Sequence, residues 1–381
     1  MNPAFAAGAT RRGAGRSPGR AWFAGVRASD VVECIDVAEE PGRLAAGGFW
    51  AVVGEFEGTV RAWRFADVVW ADGKNGPDDA GGGWRGPAMG AWRSSMSEAA
   101  YRSGVSAIRE RIRAGDVYQV NLCRVLSAPL PGSPGDEPDA HALARLLAAG
   151  NPAPFEGGLH VPGGPGMPPM WLVTSSPELF LRVLDGRVSS GPIKGTAVTP
   201  RGLTAKDEAE NIMITDMVRN DLQRLCRPGT VEVSALLERQ RHPGLAHLVT
   251  TVEGELAGAL DWAAVLTATY PPASVSGAPK HAALQVIGEL EPTPRGPYCG
   301  MVGWVDADRS RAELAVGIRT FWCTDGSAAD GGGRLHFGTG AGITWDSDPA
   351  DEWAETELKA RRLIVLASGP GRDDGTAGED A

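Results

Sequence analysis

Two acidic residues, Asp207 and Glu210, lie three positions apart near the start of a segment with helical periodicity. At about 100° per residue, the same side of that helix continues with Ile214, Met217, Val218 and Leu225. Ionised carboxylates that begin a buried face need a compensating charge, which a divalent cation can supply. Acids in a first helical turn are also favourable without a metal, because they face the positive end of the helix dipole. This helix alone leaves both interpretations open.

A second helix, near the C-terminus, repeats the arrangement. Asp348 can cap its N-terminus, and Pro349 suits the first helical position. One side of this helix then carries Glu352, Glu355, Lys359, Leu363 and Leu366. Two helices that each begin an apolar face with a pair of acids predict a Mg²⁺ site. Its four candidate ligands are Asp207, Glu210, Glu352 and Glu355, some of which would act through water, because Mg²⁺ usually binds only one or two protein carboxylates.

The rarity of lysine is a third chemical signal. Among the 37 basic residues the lysines are Lys74, Lys194, Lys206, Lys280 and Lys359. A lysine amine can lose its proton and act as a nucleophile or base, whereas a guanidinium keeps its charge. In a chain that otherwise uses arginine, each lysine is therefore a candidate for chemistry. Lys74 and Lys206 are well explained as surface residues.

The elements that must position these residues are strands and helices without strict alternation. Short strands are predicted from Trp22 to about Val69, and helices are predicted at 97–114, 140–149, 261–269 and 280–290. Further strands are predicted at 117–125, 171–174, 179–184, 187–190, 230–234, 248–252, 299–306 and 312–323. Gly- and Pro-rich loops are expected at 72–87, 129–138 and 325–333. This irregular order predicts an α+β fold.

Composition and charge exclude several classes of protein. The 381 residues are 43% hydrophobic, and no apolar run approaches the length of a membrane span. A net charge of −10 argues against a surface for nucleic acid or anionic membranes. The five scattered cysteines, without a C-x-x-C pair, indicate reduced thiols in a cytoplasmic protein and no zinc site. Residues 1–20 and 369–381 are predicted to be disordered tails.

Ordered sequence blocks carry a family resemblance from about residue 96 to 368. The blocks are 115–122 (GDVYQVNL), 177–180 (PELF), 191–196 (GPIKGT), 207–211, 219–222, 247–249 (HLV), 276–280 (SGAPK), 295–300 (RGPYCG), 318–320 (IRT) and 338–343 (GTGAGI). In these blocks the chain resembles the chorismate-utilising enzymes, the family of anthranilate, aminodeoxychorismate, isochorismate and salicylate synthases. Lys194, Lys280 and Lys359 all fall inside the family's motifs.

The resemblance implies one large domain of two stacked, mostly antiparallel β-sheets with helices packed outside. Residues 21–95 would form a short N-terminal part of the sheet scaffold, and residues 96–368 would form the chorismate-binding catalytic core. Relatives that tryptophan regulates carry a longer N-terminal region with a Leu-Leu-Glu-Ser block, which this chain lacks. Feedback control by tryptophan is therefore not expected.

The resemblance also implies how the two carboxylates of chorismate are bound. The glycine-rich run offers closely spaced backbone N–H groups, although its spacing alone favours a plain turn; it comprises Gly338, Thr339, Gly340, Ala341 and Gly342. Arg319 and Tyr298 match positions that hold the enolpyruvyl carboxylate. Lys359 and Mg²⁺ would bind the ring carboxylate.

Two further site residues follow from the matching motifs. Thr196 closes the 191–196 block and is expected to contact the substrate. His247 matches the family's active-site histidine, although a lone histidine is more often structural. The same holds for Arg319 and Tyr298, which without the resemblance would be a surface arginine and a core tyrosine.

The resemblance assigns the chemical step to Glu178 and Lys194. Glu178 matches the general acid that protonates the departing C4 hydroxyl, a role that requires a carboxyl group holding a proton near neutral pH. Members that add water at C2 use a lysine base where this chain has Gln119. Anthranilate synthases typically have alanine at the position of Lys194, whereas aminodeoxychorismate synthases have lysine. Lys194 would add covalently at C2, and ammonia would then add at C4 and expel it.

The implied product is 4-amino-4-deoxychorismate, a precursor of p-aminobenzoate and folate or of a specialised metabolite. Its ammonia would come from glutamine through a separate amidotransferase subunit, because Cys299 lacks the preceding glycine of an amidotransferase nucleophile turn. The alternatives are an anthranilate synthase component and a catalytically silent chorismate-binding subunit. One departure from the family is Ala273, which stands where glycine is common and would be strained if that position needs a positive φ.

Overall fold

An antiparallel β-sheet with packed helices is the architecture of the computed structural model, which describes residues 17–70, 83–132, 138–197, 205–242, 245–324 and 333–368. The backbone alone is described at 17, 196–197, 205–206, 241–242 and 245–247. The predicted tails, apart from 17–20, and parts of the predicted loops at 72–87, 129–138 and 325–333 lie outside the described residues. Thr204, which could cap the first acidic helix, and Lys74 also lie outside.

The elements are as follows within the described ranges. The strands are β1 Ser17–Phe23, β2 Val26–Asp36, β3 Phe49–Gly54, β4 Val60–Trp70, β5 Arg93–Ser94, β6 Gln119–Pro129, β7 Phe155–Val161, β8 Met170–Ser176, β9 Leu179–Leu184, β10 Arg187–Gly191, β11 Ile193–Ala197, β12 Glu232–His242, β13 Leu245–Glu255, β14 Gly277–Ala278, β15 Met301–Asp306, β16 Arg311–Val316, β17 Thr320–Thr324 and β18 Arg334–Ile343. The helices are α1 Pro41–Ala45, α2 Glu98–Ala114, α3 Ala140–Gly150, α4 Ala205–Gln223, α5 Trp262–Thr269, α6 Lys280–Leu290 and α7 Pro349–Ser368. None of these helices combines the length and apolar character needed to cross a bilayer.

Antiparallel pairing links the strands into one curled sheet. Every pairing between the described strands is antiparallel, and together the pairings connect all eighteen strands. The N-terminal strands join the rest through two pairings, β1 with β7 and β3 with β15. The ladder most important for the site joins β6 to β18, from Pro129 opposite Arg334 to Val120 opposite Ile343. The predicted α+β class, with antiparallel strands and outer helices, is confirmed.

The second acidic helix begins as its sequence predicts. The Asp348 carboxylate accepts hydrogen bonds from the N–H groups of Ala350 at 2.8 Å and Asp351 at 3.2 Å. Pro349 occupies the first position of α7. The two N–H groups stabilise the charged carboxylate and so lower the pKa of Asp348. The cap therefore fixes where the helix starts and which way its acids point.

The helices α4 and α7 each bury an apolar face against the sheet, and this packing positions their acidic residues. α4 packs against β11 and β13, while α7 packs against β18 and α2. Ile214 and Val218 bury the inner face of α4, and Leu363 does the same for α7. Asn211, fully buried, ties α4 to β13 by donating to the Leu248 carbonyl at 3.2 Å. The N-terminal halves of both helices are thereby held over the same part of the sheet.

The structure differs from the sequence prediction in three places. The 338–342 run is part of a strand rather than a turn, because its backbone completes the ladder with β6. The strand predicted at 312–323 is interrupted between Val316 and Thr320, where Arg319 has a φ of 52° that an extended strand cannot accommodate. β1 begins at Ser17, inside the segment predicted as a tail.

Candidate active site

Glycines at alternate positions of β18 form the floor of the candidate cleft. A Cβ at Gly338 would overlap the ring of Tyr298, and a Cβ at Gly340 would lie 2.5 Å from Cys123 Sγ. Real Cβ atoms essentially never come within 3.0 Å of another heavy atom, so these positions exclude any side chain. Thr339, between them, faces the other way, and its hydroxyl donates to a carbonyl of α7 at 2.9 Å. The glycine face of β18 therefore has no side chains of its own and packs closely against Tyr298 and Cys123.

The outer edge of this strand is open beside the glycines. β17 pairs with β18 only as far as Phe337, so no strand of the described residues covers the edge from Gly338 onward. Lys359 of α7 reaches this edge and donates from Nζ to the Gly340 carbonyl at 3.1 Å. Backbone N–H groups at an uncovered sheet edge can bind an anion. The 338–342 run can thus bind a carboxylate from a strand edge.

Ser274 lies between Glu178 and Lys194. The Lys194 amine donates to the Ser274 carbonyl at 3.0 Å, while the Ser274 hydroxyl hydrogen-bonds the Glu178 carboxyl. Burial raises the pKa of Glu178 to about 7, against smaller opposing effects of Ser274, Lys194 and the N–H of Ile193. Close packing around the half-buried Lys194 amine lowers its pKa, although nearby carboxylates oppose this effect. A carboxyl group with a pKa raised to about 7 thus lies close to an amine with a lowered pKa, the directions that a general acid and a nucleophile need.

Gln119 and Lys194 converge above Gly342. A Cβ at Gly342 would lie 2.5 Å from Gln119 Nε2 and 3.4 Å from Lys194 Nζ. Gln119 is 0% exposed, and neither its amide nitrogen nor its amide oxygen has a hydrogen-bond partner in the described protein. Leaving a buried polar group unpaired costs about 1–3 kcal/mol. The unpaired amide of Gln119 therefore lies beside Lys194 as a buried polar group with unused hydrogen-bonding capacity.

The predicted metal ligands lie in the N-terminal halves of α4 and α7 without forming a compact cluster. Glu352 is 4% exposed and accepts a hydrogen bond from the Ser347 hydroxyl at 2.5 Å. Glu355 is half-exposed and pairs with Lys359 at 2.6 Å. Burial lowers the pKa of Lys359, but the charge and hydrogen bond of Glu355 together with the charge of Glu352 raise it, and the net pKa lies above its ordinary value. Within the described ranges, no three His, Cys, Asp or Glu side chains lie close enough together to hold a metal alone.

Acids from both helices nevertheless face one point. Glu210 of α4 and Glu355 of α7 each act on Lys194, where their negative charge opposes the lowering of its pKa. Asp207 lies close to the backbone of Gly195, next to that lysine. Mg²⁺ prefers oxygen ligands, keeps several waters, and usually takes one or two protein carboxylates together with an anionic substrate. Two carboxylates, one from each helix, that both act on one lysine are compatible with that pattern.

Arg319 and Tyr298 lie in adjoining turns with unusual backbone. The φ angle is 52° at Arg319 and 62° at Cys299, which follows Tyr298, and such values are uncommon for residues with a side chain. The N–H of Cys299 donates to the Gly317 carbonyl at 3.0 Å and joins the two turns. Burial lowers the pKa of Arg319 to about 10, so it stays cationic at neutral pH. Strained backbone around a buried cation is typical of a binding site.

The remaining predicted site residues do not offer a described side chain to the cleft. Thr196 and His247 lie opposite each other in the ladder between β11 and β13, close to Lys194, but their side chains are outside the described residues. Thr339 and Ala341 are buried on the far side of β18, so they can offer only their backbone to the cleft.

Ser274 is the site residue that the sequence did not identify. The only feature that the sequence showed in this segment was Ala273, which stands where the family commonly has glycine. Ala273 begins a 3₁₀ turn over Ala273–Val275 and is not among the described residues with positive φ, so alanine is unstrained there. This short turn brings Ser274 between the acid and the amine. Three residues are too few for hydrophobic periodicity to reveal.

Comparison with known proteins gives the family. A family model described as chorismate binding enzyme matches residues 84–365. The chain belongs to the chorismate binding enzymes. Anthranilate synthase component 1 of Streptomyces coelicolor is 37% identical to this family member over 286 residues, which are 72% of this chain and 52% of the relative. Aminodeoxychorismate synthase component 1 of Klebsiella aerogenes is 34% identical over 286 residues, 72% of this chain and 59% of the relative. The chain thus spans between half and three-fifths of these two relatives.

Solved structures share the fold of this chorismate binding enzyme. The putative 2,3-dihydroxybenzoate-specific isochorismate synthase DhbC from Bacillus anthracis has a TM-score of 0.74 at 22% identity and covers 92% of this chain and 96% of that one. Anthranilate synthase component I from Streptococcus pneumoniae has a TM-score of 0.69 at 22% identity, with 92% of each chain covered. Because these two proteins are named for different reactions, the fold does not distinguish between them.

Proposed function

We propose that the chain aminates chorismate to 4-amino-4-deoxychorismate, the activity named for the Klebsiella aerogenes relative. The arrangement of Lys194 and Glu178 around Ser274 carries this proposal. Displacing the C4 hydroxyl requires a proton donor, and routing the reaction through C2 requires a nucleophile. A protein that only bound chorismate would need neither, which argues against a silent subunit.

Chorismate is proposed to lie on the glycine floor. Arg319 and Tyr298 would hold the enolpyruvyl carboxylate, and Lys359 together with the open edge of β18 would hold the ring carboxylate. Glu210 and Glu355 would bind Mg²⁺, which when bound would neutralise the ring carboxylate. This placement leaves the C2 and C4 atoms facing Lys194 and Glu178.

The proposed reaction has two steps that balance. The neutral Lys194 amine forms a bond to C2 while the C4–O bond breaks, and the hydroxyl leaves as water with the proton of Glu178. Ammonia then forms a bond to C4 while the bond from Lys194 to C2 breaks. Glu178, now a carboxylate, accepts the proton that the new nitrogen loses.

Product identity tests the proposal. The purified chain, supplied with chorismate, Mg²⁺ and an ammonium salt, is expected to form 4-amino-4-deoxychorismate, identified by chromatography and mass spectrometry. Anthranilate synthesis is the second candidate, because anthranilate synthase component 1 of Streptomyces coelicolor is similarly close. Anthranilate as the main product would replace the first proposal with the second.

The metal proposal predicts a strong effect of two conservative substitutions. Glu210→Gln and Glu355→Gln are each expected to lower turnover at least about 100-fold, with little change in the free energy of unfolding, because the apolar faces of α4 and α7 are untouched. Glu208→Gln is the matched control, since Glu208 pairs at 3.4 Å with Arg239 on the exposed surface. Steady-state rates and thermal unfolding measure both effects. Full activity in excess EDTA would rule out the metal.

The source of nitrogen gives a further prediction. The chain alone is expected to use ammonium salts and not glutamine, because glutaminase chemistry is assigned to a separate subunit. Turnover of chorismate is measured with each nitrogen source at equal concentration. A separate incubation of the chain with glutamine, without chorismate, is assayed for release of glutamate. Glutamate formed by the purified chain would show that it carries an amidotransferase site of its own.

A further inference from the structure

A small space lies beside Glu178. It is lined by residues of or next to β9, β10, β16, α4, α5 and the 3₁₀ turn, and of the described residues that line it none belongs to β6, β18 or α7. Glu178 and Ser274 line this space, and the Ser274 carbonyl accepts a hydrogen bond from Lys194. The proposed acid Glu178 therefore borders this cavity as well as the group around Lys194.

The cavity matches a very small ligand. It leaves about 20 Å³ for the centre of a water-sized molecule. Because one water needs roughly 10–15 Å³ by this measure, the cavity holds one or two such molecules and is far too small for chorismate. Ammonia is the reactant of the proposed reaction that has this size.

The lining of the cavity suits a ligand that donates hydrogen bonds. Its polar residues are Glu178, Ser190, Asp221, Thr269 and Ser274, each at most 7% exposed. Carboxylates lie at two sides, and the rest of the wall is apolar, with Val218 from α4 and Val316 from β16. Oxygen acceptors, with no Lys, Arg or His among the described residues that line the space, favour a ligand that donates hydrogen bonds over an anion.

One end of the cavity approaches solvent through an ion pair. Lys280 donates from Nζ to Asp221 at 2.8 Å and to the Thr269 carbonyl at 3.1 Å, so it bridges two lining residues. The Lys280 side chain is 22% exposed, whereas that of Asp221 is 9% exposed. The bridge therefore separates the cavity from the surface and would have to move for a molecule to enter.

We propose that this cavity admits and holds ammonia for the amination step, with the Lys280–Asp221 pair as its outer closure. The inference rests on the proposed function. Chorismate bound at the glycine floor would occupy the cleft, whereas ammonia in the cavity would lie beside Glu178 and Ser274. After Glu178 has given its proton to the leaving hydroxyl, its carboxylate can accept the proton that ammonia loses on bonding to C4.

Substitutions at Val218 test the cavity without touching a catalytic group. Val218→Ile adds one methyl group to the wall and is expected to raise the KM for ammonium about tenfold or more, with the Kd for chorismate unchanged. Val218→Ala widens the space and is expected to raise the use of methylamine relative to ammonium about tenfold. Val183→Ile and Val183→Ala are matched controls, because Val183 is equally buried in β9 but does not line the cavity. Val316→Ile narrows the cavity from the sheet side and replaces Val218→Ile if that variant does not fold.

The outcomes separate the inference from the proposed function. A wild-type chain that forms no aminated chorismate overturns both. The wild-type chain could instead form aminated chorismate while the Val218 variants show the same KM for ammonium, and the same ratio of methylamine to ammonium use, as the Val183 controls. That result overturns the cavity proposal alone. In that case the space holds only structural water.

Discussion

Lys194→Arg is expected to reduce formation of 4-amino-4-deoxychorismate at least about a thousandfold. Arginine keeps the positive charge at this position, but a guanidinium does not become a nucleophile at neutral pH. In the wild-type chain, packing around the amine lowers the pKa of Lys194 and so increases its neutral fraction. The variant therefore separates a covalent role from a purely electrostatic one. Steady-state product formation with ammonium measures the effect.

Two measurements accompany this variant. Lys194→Ala is expected to retain chorismate binding, because Arg319, Lys359 and the glycine floor are unchanged, and to shift residual amination toward C2. Mass spectrometry of wild-type enzyme quenched with chorismate and no ammonia is expected to show an adduct on Lys194 that both variants lack. Lys194→Arg turning over near the wild-type rate would mean that Lys194 serves only as a positive charge.

Glu178→Gln is expected to lower turnover by about 10²–10⁴-fold, because an amide cannot donate the proton that the leaving hydroxyl needs. Burial raises the pKa of Glu178 to about 7, so the wild-type rate is expected to fall as pH rises through that value. The residual rate of the variant is expected to lack this decline. A pH profile from 5.5 to 9, on the order of half-unit steps, distinguishes loss of the acid from general damage.

Stability provides the control for this variant. The folded-state pKa of Glu178 lies above the ordinary glutamate value, so its contribution to stability is present at low pH and is lost as pH rises through about 7. Glu178→Gln is therefore expected to unfold at the same or a higher temperature than the wild type at alkaline pH. Glu313→Gln, on the neighbouring β16 and paired with Arg182 at 2.6 Å, is the matched substitution outside the cleft. Equal losses of activity in both variants would contradict a special role for Glu178.

The helices and most strands of the core could be predicted from the sequence, because caps and periodicity are local. Asp348 and Pro349 place the start of α7, and the apolar side of α4 turns inward with its acids at one end. Periodicity and the paired acids predicted that the two helices share one site, but not that acids of both helices would act on Lys194. Neither signal could give the distance between the acids.

What the sequence could not predict depends on contacts between distant residues. The glycine run has the composition of a turn, and only its pairing with β6, about 200 residues earlier, makes it a strand. Ser274 reaches the site through a three-residue turn, and the cavity beside Glu178 is bounded by six separate elements. The unpaired amide of Gln119 likewise becomes visible only once its surroundings are folded.

The glycine run of β18 has a consequence for how a ligand would be received. Glycines have no rotamers to select, so they would lose no side-chain conformational entropy if an anion bound at their backbone. Long side chains nearby behave differently, since each immobilised one costs about 0.5–1.5 kcal/mol. Glu355 and Lys359, both still partly exposed, are such side chains. An anion bound at β18 would thus meet a backbone that is fixed in advance, and adjustment to it would fall to the side chains of α7.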